Sequence, residues 1–147
     1  MSEQHEDSDV YLKRQIPDGE YIASYEGYST ATMFSQKTAK VCLRFRIVEG
    51  PRTNTLLERW YSVGGLYGPP GENGKFKAKG QTSRMILEFL TCCPDATIDR
   101  LDRIPMTNWR GGLYRILVRT VDKNHERLKL PHQVRYSTID CVLGRFD

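Results

Sequence analysis

Arginines recur at alternate positions in two separated apolar segments. In Lys40–Glu49 the odd positions Val41, Leu43, Phe45 and Ile47 are apolar, and Arg44 and Arg46 fall between them. In Leu113–Val121, Tyr114, Ile116 and Val118 alternate with Arg115, Leu117 and Arg119. Side chains of a strand point alternately to opposite faces, so each segment predicts one core face and one face carrying paired guanidinium groups. A guanidinium binds phosphate bidentately and stacks on bases. The chemistry implied is recognition of an anionic polymer. The alternative for the same pattern is a solvated outer face.

Aromatic residues are interleaved with the basic ones. Binders of single strands combine a cationic groove with aromatic platforms, each base stack contributing about 1–3 kcal/mol. The candidates are Tyr25, Tyr28, Phe34, Trp60, Tyr61, Tyr67 and Phe76, with core packing as the alternative for each. A third apolar segment, Leu56–Val63, contributes Arg59, Trp60 and Tyr61. Its faces stay open because Glu58 and Arg59 are adjacent and neither is easily buried; a bulge would accommodate both. From Gly64 to Gly80 there are eight Gly or Pro residues, and the end of the same segment carries Lys75, Phe76, Lys77 and Lys79. This composition predicts a long mobile loop that orders on a ligand, with Phe76 as its stacking residue. A merely solvated loop is the alternative.

Bond-making chemistry has no comparable signature. The chain lacks G-x-S-x-G, a P-loop, H-E-x-x-H and a dinucleotide-binding glycine pattern. Asp95, Asp99 and Asp102 are interspersed with Arg100 and Arg103, which reads as a solvated turn rather than a nuclease metal site. Cys42, Cys92, Cys93 and Cys141 form no C-x-x-C pair, and His5, His125 and His132 stand at no zinc-ligand spacing from them. No catalytic residue, metal or cofactor is expected.

The net charge of +4 is unevenly spread. The first ten residues hold four acidic side chains and no Lys or Arg, whereas the remaining 137 hold 22 basic and 14 acidic ones. A basic body with an acidic arm favours an anionic partner, and the arm is placed to compete for the same surface. Residues 1–10 are expected to be disordered and residues 11–147 to form one domain. There is no apolar run long enough for a membrane span and no signal-like N-terminus, so a cytoplasmic protein with free thiols is expected.

The elements that must position these residues follow from turn signals. Pro17-Asp18-Gly19 opens a first strand over 20–28, and residues 29–38 read as a polar connection. Gly50–Asn54 turns the second strand into the third. Thr82-Ser83 caps a helix whose buried face is Met85, Ile86, Phe89 and Leu90, and Ile98, Leu101 and Ile104 read as a further helical turn stopped by Pro105. Gly111-Gly112 opens the fourth strand, and residues 134–140 form the fifth after a polar tip at 122–127. Three strands, a helix and two strands predict a mainly β fold: a five-stranded OB-fold Greek-key barrel with its helix between the third and fourth strands. A short five-stranded sandwich or another small barrel is the alternative.

Gly19-x-Tyr21, Lys40-Val41-x-Leu43-x-Phe45-x-Ile47-Val48-Glu49-Gly50 and Leu57-x-Arg59-Trp60-Tyr61 together resemble the small OB-fold proteins of phages and mobile elements, many of which bind single-stranded DNA in replication or recombination. The resemblance covers the first half of the chain. It implies nucleic-acid contacts at Arg44, Arg46, Arg59 and Trp60 or Tyr61. The end of the chain, Leu143–Asp147, departs from bacterial single-strand-binding proteins in having no acidic tail, so recruitment of partners through such a tail is not expected. The expected function is non-sequence-specific binding of single-stranded DNA, with RNA left open. Its residues are Arg44, Arg46, Arg59, Trp60, Tyr61, Lys75, Phe76, Lys77, Arg115 and Arg119. Replication or recombination proteins, or a second copy of the chain, are compatible partners, and no membrane is. The alternative is a protein-binding OB module in such an assembly.

Overall fold

The computed structural model describes residues 13–33, 37–124 and 126–146. The acidic arm 1–10, Phe34 and His125 lie outside the described residues.

The elements in chain order are β1 (Gly19–Met33), β2 (Thr38–Ile47), β3 (Leu56–Ser62), β4 (Gly65–Tyr67), β5 (Gly71–Glu72), β6 (Lys75–Lys77), α1 (Arg84–Cys92), a 3-10 turn (Met106–Trp109), β7 (Leu113–Val121), a second 3-10 turn (His132–Val134) and β8 (Tyr136–Arg145). Five long strands form one antiparallel sheet in the order β3-β2-β1-β7-β8, with β5 joined to β1. β4 and β6 form a separate hairpin. The fold is mainly β, with α1 between the third and fourth long strands, as the turn signals predicted.

The expected closed barrel is not formed. The edge strands β3 and β8 share no ladder, and a side chain links them instead: Thr138 Oγ1 donates to the Glu58 carbonyl at 2.9 Å. Two amides on the outer edge of β8 are engaged elsewhere. Ser137 N–H donates to the Arg14 carbonyl at 2.9 Å, and Val142 N–H donates to the Glu88 carboxylate at 3.0 Å. The incoming segment and α1 thus take up two amides that a ladder to β3 could otherwise use.

Alternation holds where it was clearest. Val41, Leu43, Phe45 and Ile47 are buried from β2, and Tyr114, Ile116 and Val118 from β7, while Arg115 and Arg119 are exposed. On β3, Leu57, Arg59 and Tyr61 point inward and Leu56, Glu58, Trp60 and Ser62 outward. Its pairing with β2 runs without a slip, so the bulge considered for β3 is absent. The bulge is in β1 instead: Tyr25 faces Phe45 and Gly27 faces Arg44, so Glu26 is an extra residue. An extra residue reverses which parity faces the core. Tyr21, Ala23 and Tyr25 therefore share the interior with Tyr28 and Thr30. The bulge also lets β1 run on to Met33, through half of the expected polar connection. In β8 the slip that leaves Asp140 as an extra residue similarly turns both Ile139 and Val142 inward although they are three apart.

Other expectations are corrected. The segment 64–80 is not a long loop: β4 and β6 pair, Leu66 faces Phe76, and Phe76 is 5% exposed in the core. Leu90 of α1 is exposed, and the buried helix face is Met85, Ile86, Glu88, Phe89 and Cys92. Ser83 precedes the helix, but its hydroxyl donates to the Gly80 carbonyl at 2.8 Å rather than capping it. No helical turn forms over 98–104; Ile98 and Ile104 pack on the core from irregular chain, and Pro105 precedes a 3-10 turn rather than ending a helix. Among the described residues no helix is long and apolar enough to cross a membrane.

Gly27 is required twice over. Its φ is +125°, and a Cβ there would stand 2.9 Å from Arg44 Nη2. Gly27→Ala is expected to cost about 1–3 kcal/mol through backbone strain and to push the Arg44 side chain off β1. Chemical denaturation of the variant measures the first effect, and loss of the Arg44–Glu72 contact in its structure shows the second.

Candidate nucleic-acid interface

The guanidinium groups of the two alternating strands do face outward, but each has a carboxylate partner. Arg44 lies across β1, where Gly27 leaves room, and reaches Glu72 at 2.8 Å and Ser29 Oγ at 3.4 Å. Only 13% of its side chain is exposed. Arg46 pairs with Glu26 at 3.4 Å and donates to the Asn54 carbonyl at 3.1 Å. On β7, Arg115 pairs with Glu20 at 2.8 Å and Arg119 with Asp140 at 2.9 Å. The two exposed pairs on β7, Arg115–Glu20 and Arg119–Asp140, contribute about 0–1 kcal/mol each. The outer face is thus a lattice of charge pairs rather than a bare cationic stripe.

Three expected contact residues are unavailable to a ligand. Arg59 points inward and forms two hydrogen bonds with the Glu88 carboxylate, Nε at 3.0 Å and Nη2 at 2.5 Å. Tyr61 donates its hydroxyl to the same carboxylate at 2.7 Å, and the Arg59 guanidinium lies 4.4 Å from the Tyr61 ring centroid. Burial, reinforced by the charge of Glu88, pushes the Tyr61 phenol well up, so it stays a donor. Phe76 is turned into the core with its ring edge-on to Tyr28 at 6.0 Å. The adjacent charges of β3 do not by themselves set its faces, because a buried acceptor on another element, Glu88, decides which of them turns inward.

The remaining aromatic and basic residues fall into two places. Trp60, half-buried on the outer face of β3, donates its indole N–H to Glu58 at 3.3 Å and stands opposite Cys42 of β2. The β4–β6 hairpin supplies the second. Residues opposite one another in an antiparallel pair share a face, and Tyr67 stands opposite Lys75, Gly65 opposite Lys77 and Leu66 opposite Phe76. With Phe76 inward, Tyr67, Lys75 and Lys77 share the solvent face, and Tyr67 is 51% exposed. None of the three has an ion pair among the described residues. The interleaving of base and aromatic is therefore present, with Tyr67 in the position expected of Phe76.

A groove of about 600 Å³ lies where the β1 bulge, Glu72-Asn73 and the segment 104–111 meet. It is lined by Tyr25, Tyr28, Met106, Thr107 and Arg110 among others. Neither the bulge nor Arg110 was singled out from the sequence; the available signal was Gly27 inside a strand, which marks a bulge or a close approach.

Chemistry of other kinds finds few groups in place. Among the described residues no three His, Cys, Asp or Glu side chains converge as metal ligands. The four thiols are free, and burial raises each; that of Cys92 is pushed up to about 12. Asp102 takes two 2.9 Å hydrogen bonds from Arg100, which hold its carboxyl below the ordinary value. No protein-family model, curated protein or solved structure matches the chain.

Proposed function

We propose that this chain is a module of OB-fold type that binds single-stranded DNA without sequence preference and works in the cytoplasm. The observation that carries the reading is the hairpin face: an exposed ring, Tyr67, opposite Lys75 and on the same face as Lys77, with Leu66 and Phe76 packed on the core beneath it. A ring for any base and ammonium groups for phosphates are the requirements of sequence-tolerant binding. The strand order β3-β2-β1-β7-β8 with α1 after β3 supports the OB assignment. The resemblance of the first half of the chain supports a place in replication or recombination of a phage or mobile element.

Anisotropy titration with labelled oligo-dT, against duplex of equal length, tests this reading. Tight binding of oligo-dT at low salt is expected, and a preference for duplex would remove it. Tyr67→Ala is expected to weaken binding by about 1–3 kcal/mol, the value of one base stack. Lys75→Ala with Lys77→Ala is expected to reduce the log–log salt slope by about 1.4, from ~0.7 per phosphate contact on a single strand. Melting temperatures of these surface variants should stay near that of the wild type.

One observation favours the protein-binding alternative. Leu87 and Leu90 of α1, three residues apart, are 51% and 40% exposed. An apolar pair on one helix face suits a protein partner better than a phosphate backbone. Failure of oligo-dT binding at low salt would shift the reading to that alternative.

A further inference from the structure

The groove beside the β1 bulge contains none of the hairpin residues assigned above, and its lining is largely fixed in advance. Its volume of about 600 Å³ lies within the ~300–1,000 Å³ usual for sites that take small molecules. The Tyr25 ring stacks on Trp109 at 6.0 Å with 21° between planes. Tyr28 is held by its hydroxyl, which donates to the Gly74 carbonyl at 3.1 Å, and by the edge of Phe76. Ile104, Pro105 and Met106 add apolar lining.

The polar groups of the groove differ in how far they are already engaged. The rim carboxylates Glu26 and Glu72 are neutralised by Arg46 and Arg44. Arg110 is exposed and has no ion pair among the described residues. The hydroxyl of Tyr25 makes no hydrogen bond among the described residues, and burial holds its phenol protonated as a donor. Aromatic surface, one unengaged cation and an unengaged donor within a single groove match the parts of a nucleotide: base, phosphate and a base-edge acceptor.

The geometry points to this groove as a subsite for one nucleotide unit of the bound strand, its base against Tyr25 and Tyr28 and its phosphate on Arg110. The inference rests on the single-strand reading above and extends it. Phe76 couples the two places, since it supports the hairpin face on one side and touches Tyr28 on the other. A strand laid along Tyr67 and Lys75 would turn one unstacked base into the groove.

The test uses the full chain, labelled with ¹⁵N and titrated with oligo-dT, together with Arg110→Ala, Arg110→Lys and a charge-loss control, Lys129→Ala. The amide signals of Gly27, Thr107 and Gly111 are expected to move on binding. Arg110→Ala is expected to weaken binding about tenfold and to lower the salt slope by about 0.7, with Arg110→Lys recovering most of both. Lys129→Ala should change affinity less than about twofold, as expected for a remote surface charge. If wild type binds oligo-dT while Arg110→Ala keeps its affinity and slope, or the three amide signals stay still, the groove is not a subsite and the hairpin reading survives. If wild type does not bind oligo-dT at all, both readings fall.

Discussion

Glu88→Ala is expected to cost about 3–5 kcal/mol of folding stability, as breaking one side of a buried ion pair generally does. Glu88 is 5% exposed and accepts four hydrogen bonds: two from Arg59, one from Tyr61 and one from the Val142 amide. It ties α1 to β3 and β8, the two strands that share no ladder. Removing the carboxylate strands a guanidinium, a phenol and an amide away from water at once. Chemical denaturation should show a lower midpoint with an unchanged slope, because the folded and unfolded surfaces are otherwise the same. At roughly 3 °C per kcal/mol for a domain of this size the melting point should fall by about 10 °C or more. Pairing Glu88→Leu with Arg59→Met should recover only part of the loss. It removes the stranded charge but leaves Tyr61 and Val142 without an acceptor. A single variant within about 1 kcal/mol of wild type would mean that water takes over the carboxylate's role.

Trp109→Ala is expected to cost a similar amount, about 3–5 kcal/mol, through the cavity it leaves. The indole is fully buried and meets Tyr25 at 6.0 Å, Phe45 at 6.1 Å, Phe89 at 5.8 Å and Tyr114 at 5.2 Å between centroids. It therefore anchors the 104–111 segment to β1, β2, α1 and β7 together. Its own N–H has no acceptor among the described residues. Trp109→Phe should for that reason cost much less, since the lost ring area is offset by removing a buried donor without a partner. The same pair of variants reports on the groove. Alanine removes the ring behind Tyr25 and should weaken oligo-dT binding, whereas phenylalanine should largely preserve it. Equal destabilisation by both would show that the N–H is satisfied in solution.

What the sequence determined by itself was local periodicity. The alternation in β2 and β7 specified which side chains are buried, because a strand has a period of two and an apolar face has one place to go. The outward direction of Arg44, Arg46, Arg115 and Arg119 followed from the same rule, while the order of strands and helix and the turn at Gly50–Asn54 followed from turn and capping signals. The tertiary structure decided everything that depends on a partner distant in the chain. Arg59 turns inward only because Glu88, 29 residues later, supplies a buried carboxylate. Phe76 leaves its glycine-rich surroundings because β4 pairs with β6 and Tyr28 packs against its ring. The outward arginines acquire carboxylates from β1, β5 and β8, which turns an apparent cationic face into a charge-paired one. The open edge of β8 is the largest such decision. Strand pattern sets how many strands there are, but closure depends on what the edge amides meet, and here Ser137 and Val142 donate to Arg14 and Glu88.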